Sequence, residues 1–129
     1  MNLRKVVLVA SLIVTSQATA ATLTEMCAAA GNVVRDAIVA ESLRVAFNES
    51  LEWRTALFES LPPTWKKTVL QDIERFKPDF VVGTATILKE VPRWNQQGLN
   101  GQALARERII SGLEKVNEVY AITCMKRLE

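Results

Sequence analysis

Cys27 and Cys124 are the only two cysteines of the 129-residue chain, and Cys124 stands five residues from its end. A bond between them closes a loop of nearly the whole domain, so the fold must bring its beginning and its end side by side. In an oxidising compartment, a lone pair of this kind reads as a structural disulfide. Loop-closure entropy puts its contribution at about 4–5 kcal/mol for a loop near 100 residues, comparable with the net stability of a small domain. There is no Cys-x-x-Cys and no histidine to lower a thiol pKa, so a reactive thiol is not expected.

The oxidising compartment is itself predicted by residues 1–20, which read as a secretory signal peptide. Arg4 and Lys5 form a basic start, Val6 to Val14 is a nine-residue apolar run, and Ala18-Thr19-Ala20 supplies small residues for cleavage. Nine residues are too few to span a bilayer core, which needs about 20. Cys27 follows Thr24-Glu25-Met26 rather than a small-residue box, which argues against a lipid anchor. The sequence thus predicts cleavage near Ala20, one helical domain over 21–129, a periplasmic or secreted location and no stable membrane anchor.

Cleavage also changes the charge. The chain carries 16 Lys+Arg against 14 Asp+Glu, and losing Arg4 and Lys5 leaves 14 of each. No basic block exceeds Lys66-Lys67 or Lys126-Arg127, so a nucleic-acid partner is not expected.

Apolar spacing is helical almost throughout. Thr24 is a candidate cap for a first helix with Cys27, Ala30, Val34, Ala37 and Ile38 on one face. The pattern allows continuation through Leu43 and Phe47 or a break near Asn48-Glu49-Ser50. Ser50 is a candidate second cap before Trp53, Leu57 and Leu61, and Pro62-Pro63 ends that segment. Thr64 then caps a third helix, with Trp65, Val69, Ile73 and Phe76 inward and Lys66, Lys67, Asp72 and Glu74 toward water. Pro78 suits the first turn of a fourth helix, with Phe80, Thr84, Ile87, Leu88 and Val91 inward. Residues 80–88 are rich in β-branched types and fit helix or strand; without a second strong strand the helix is preferred. Pro92 stops that helix, and residues 92–101 read as a polar linker. From about Gln102 one long helix carries Ile109, Leu113, Val116, Tyr120 and Cys124 on a single face. The predicted fold is a small all-α bundle of four to five helices, its first and last joined by the disulfide.

No constellation for chemistry stands out. The absence of histidine removes Ser-His-Asp and Cys-His catalysis and imidazole-bearing zinc sites. Ser111 and Lys115 are spaced as a dyad, but Lys115 follows Glu114 on what reads as a solvated face, and a dyad lysine must be buried and deprotonated. Glu114 and Glu118 read as plain surface, and the glycines at 31, 83, 98, 101 and 112 are too scattered for a phosphate loop. No cofactor, metal or enzymatic activity is expected. Arg93-Trp94 is the candidate partner-binding pair, since Trp and Arg are enriched at interface hot spots; the competing role for Trp94 is to fold back onto the bundle's end.

Three functions fit. The first is a periplasmic protein-binding domain without catalysis, of the inhibitor or immunity type. In class and size alone, the chain is similar to the small exported helical immunity proteins against type VI secretion amidases, and no motif is matched residue by residue. The second is an accessory component of a secretion or conjugation apparatus in the envelope. The third is an acid-stress periplasmic chaperone, loosened as its carboxylates protonate.

Overall fold

The computed structural model describes residues 21–129, so the signal-peptide reading of residues 1–20 lies outside the described residues. The described chain is helical without strands: α1 Leu23–Phe47, α2 Ala56–Glu59, α3 Pro63–Leu88, α4 Val91–Gln96, α5 Gly101–Gly112 and α6 Val116–Arg127. Four long helices make the bundle, and α2 and α4 are short connecting turns.

α1 begins two residues earlier than expected. Thr22, not Thr24, is its cap: the Thr22 hydroxyl accepts from the Glu25 amide while the Glu25 carboxylate accepts from the Thr22 amide. That reciprocal pair needs an acid three residues on, which Thr22 has and Thr24 lacks. At the other end Asn48 takes φ 56°, and its amide donates back into the last turn. Asn tolerates this left-handed conformation better than most residues, so the helix stops there.

The helix expected from Ser50 is not formed. The stretch between Asn48 and Pro62-Pro63 is short for nucleation, and the Glu52 carboxylate takes the Arg54 amide that a helix would use. Only α2 forms, carrying Phe58 into the core, with Leu61 buried beside it and Trp53 edge-on to Phe58 at 5.4 Å.

α3 corrects two further expectations. It starts at Pro63 with Pro62 as N-cap rather than at Thr64, because proline at the first helical position loses no needed donor. It then runs unbroken through Pro78. Glu74 and Pro78 are both exposed, so water can satisfy the Glu74 carbonyl that proline leaves without a donor. Residues 80–88 are helical, as preferred.

The expected linker 92–101 is mostly structured. Pro92 sits in the first turn of α4 instead of ending a helix. Gly98 at φ 80° closes α4, the Asn95 side chain accepts from the Gly101 amide at 2.8 Å, and Asn100 caps α5. The single long last helix is in fact two. Amides of Leu113, Glu114 and Val116 donate three residues back rather than four, which tightens 113–115 into a turn after the weak helix former Gly112.

α1 is the central element, packed by both α3 and α6. Its Cys27, Val33, Val34, Ile38 and Leu43 meet Val69 and Ile73 of α3 and Tyr120 of α6 in one buried cluster. Cys27 and Cys124 are bonded, with Cα atoms 5.6 Å apart, so the first and last helices are joined as predicted. One turn beyond Cys27, Gly31 brings the two helices into backbone contact: a Cβ there would stand 2.4 Å from the Asn117 carbonyl oxygen. The Asn117 side chain donates to Asn32 Oδ1 at 3.1 Å, which fixes the register of the crossing.

Asp72, expected in water, is buried at 3% exposure. Tyr120 donates to its Oδ2 at 2.5 Å, Arg127 to the same oxygen at 2.8 Å, and Arg75 to Oδ1 at 2.7 Å. Burial pushes the Asp72 carboxyl up, but the hydrogen bonds from Arg127 and Tyr120 and the two guanidinium charges outweigh it and hold it below its usual range. Burial, then Asp72, pushes the Tyr120 hydroxyl well above its ordinary value. A depressed carboxyl stabilises the fold above about pH 4, and that stability is lost as pH falls through the folded pKa. The raised hydroxyl stabilises the fold below about pH 10, and its share is lost as pH rises through its folded pKa. Asp72→Asn is expected to cost about 1–2 kcal/mol at pH 7 and to flatten the acid limb. Urea midpoints measured from pH 8 downward check it; an unchanged acid limb would show that folding does not lower the pKa of this carboxyl.

Candidate partner-binding groove

In α4 the structure leaves Arg93 exposed and buries its neighbour Trp94. Trp94 is buried at 5% exposure, its ring covered by the Arg108 guanidinium at 5.3 Å from the centroid. It therefore takes the second of the two roles considered, packing onto the end of the bundle. Arg93 is exposed and pairs with Glu90 one turn back. The two do not form a joint exposed patch. Ser111, Glu114, Lys115 and Glu118 all lie at the surface.

Open apolar surface lies elsewhere, where the C-terminal half of α3 runs past the α5–α6 junction. Tyr120 spans the two walls at one end, with its hydroxyl on Asp72 and its ring edge-on to Phe76 at 6.4 Å. Beyond it a groove of about 330 Å³ opens between Phe76 and Phe80 of α3 and Val116 and Val119 on the other side, with Val34 of α1 as floor. It shares Phe80 and Gly112 with a second hollow of about 150 Å³ that continues past Gly83, Thr84 and Ile87. Among the described residues Lys115 is the only charged side chain lining either part.

Two glycines keep this groove wide. Gly112 at the end of α5 lines both parts and Gly83 on α3 lines the second hollow, and neither has a heavy atom within 4 Å of where a Cβ would stand. Neither takes a positive φ. Gly31 and Gly101 differ, since close backbone forbids a side chain at both. A helical glycine costs about 0.5–1 kcal/mol relative to alanine, so Gly83 gives up stability that its surroundings do not demand. Gly83→Ala is accordingly expected to stabilise the fold by about 0.5–1 kcal/mol, read as a rise in thermal midpoint; a fall would show that the groove closes over this position in solution.

Val119, which lines the groove, is 63% exposed, and Ile122 on the same helix is 61% exposed. Both fall off the core stripe of α6, so helical periodicity does not single them out; an apolar residue off that stripe is the signal that marks them. Among the described residues no group of three or more His, Cys, Asp or Glu side chains is placed to hold a metal ion, and no helix is long and apolar enough to cross a membrane.

No protein-family model, no curated protein and no solved structure matches the chain significantly.

Proposed function

We propose that this chain is an exported, periplasmic protein-binding domain without catalysis, of the inhibitor or immunity type, and that it binds its partner through the groove between α3 and the α5–α6 junction. The observation that carries the reading is an apolar groove lined by glycines with room for side chains they do not have. Such a surface is suited to burying apolar side chains of another protein, and it holds one charged group rather than a set that could pass a proton. The Cys27–Cys124 disulfide fits an oxidising compartment outside the cytoplasm.

The test is capture from envelope extract by the oxidised protein, compared with its Val119→Glu variant. Val119 is exposed, so the variant should fold with an unchanged melting temperature. One stoichiometric partner held at neutral pH and weakened about tenfold or more by Val119→Glu supports the reading, since that factor corresponds to about 1.4 kcal/mol. Many unrelated clients captured only at acid pH would replace it with the chaperone. Turnover of a cell-wall or peptide substrate would refute it.

A further inference from the structure

The α6 helix shows what the groove's occupant must carry. Lys115, Val119, Ile122 and Lys126 are spaced i, i+4, i+7, i+11, which sets them on one stripe of the helix. All four are exposed. Neither lysine belongs to an ion pair among the described residues. Lys115 lines the groove, and it is the N-cap residue of α6, where its charge adds to the positive end of the helix dipole instead of opposing it. Val116, Val119, Tyr120 and Thr123 are the α6 residues that line the groove. Glu118, three residues from Lys115 and four from Ile122, borders the stripe on its far flank and pairs with neither lysine among the described residues. The stripe itself is apolar in its middle, with a lysine at each end.

We infer that the occupant is an amphipathic helix of a second protein, with carboxylates about three turns apart bracketing the apolar residues it buries on Val119, Ile122 and the groove. The inference rests on the reading of the groove as the binding face. A second copy of this chain fits poorly: antiparallel two-fold pairing of α6 over Val119 and Ile122 sets Lys115 of each copy opposite Lys126 of the other. Like charges so placed repel. A helix with acidic ends satisfies both lysines at once and receives the positive end of the α6 dipole.

Two designed four-turn helical peptides provide the probe, with leucines at identical positions and differing only in Glu or Lys at residues three turns apart. Their binding to the oxidised protein is read by fluorescence anisotropy at low and high salt. The Glu peptide is expected to bind about fivefold tighter at low ionic strength, a preference that salt erases because the charges are exposed. The K115E/K126E double variant should reverse the preference, and Gly83→Met, which fills the hollow that continues the groove past Phe80, should abolish binding of both. Equal binding of the two peptides, still abolished by Gly83→Met, overturns the acidic-ended occupant and leaves the groove standing. Binding that survives Gly83→Met overturns the groove as well. Binding of neither peptide overturns the helical occupant, and a dimer that dissociates in the Val119→Glu variant overturns it in favour of a second copy.

Discussion

Replacing Cys27 and Cys124 together by alanine is expected to remove about 4–5 kcal/mol of stability, the largest loss any local change in this fold should cause. The two residues are 97 apart in sequence, so the bond constrains almost the whole unfolded chain and removes correspondingly more of its entropy. Cys27 is fully buried and Cys124 is 8% exposed; alanine leaves both helices in place without introducing a polar atom. A domain of this size has about 5–15 kcal/mol in all, so the reduced protein is marginal. Urea unfolding of the oxidised protein and the double variant measures the difference. A loss below about 1 kcal/mol would mean that α1 and α6 already stay associated in the unfolded chain.

The second large effect is Gly31→Ala, with an expected net cost of about 2 kcal/mol. The added methyl would lie 2.4 Å from the Asn117 carbonyl oxygen and 3.2 Å from its carbon. A backbone carbonyl cannot rotate aside as a flexible side chain could, so the helices must part. They are held one turn away by the disulfide and at the crossing by the Asn117–Asn32 hydrogen bond. Gly83→Ala is the internal control: the same substitution, also within a helix, is expected to stabilise. Denaturant midpoints of the two variants should therefore move in opposite directions. Movement of both in the stabilising direction would show that α1 and α6 do not approach as closely as described.

The bundle was legible because it depends on periodicity and punctuation. Cys27, Ala30, Val34, Ala37 and Ile38 repeat at helical spacing, and all five are buried. Ile109, Leu113, Tyr120 and Cys124 do the same on the last helices. Proline is the least legible residue: in the sequence Pro78 reads as the start of a helix and Pro92 as the end of one, yet Pro78 lies inside α3 and Pro92 in the first turn of α4. Whether a proline breaks a helix depends on whether water reaches the freed carbonyl, and that is a property of the assembled fold. On charge alone Asp72 reads as solvated, because the partners that allow its burial, Tyr120 and Arg127, are 48 and 55 residues away. The groove was illegible for the same reason. Gly83 and Gly112 have meaning only once α3 and the α5–α6 turn are set side by side.

Crosslinking from the groove tests the proposed binding face most directly. A photo-crosslinking residue placed at Val119 is compared with one at Lys67, an exposed position on α3, in envelope extract at neutral pH. The groove account predicts a single adduct of defined mass from position 119, none from 67, and loss of the adduct when Gly83→Met is added. An adduct formed equally from 67, or one from 119 that persists with Met at position 83, would contradict it.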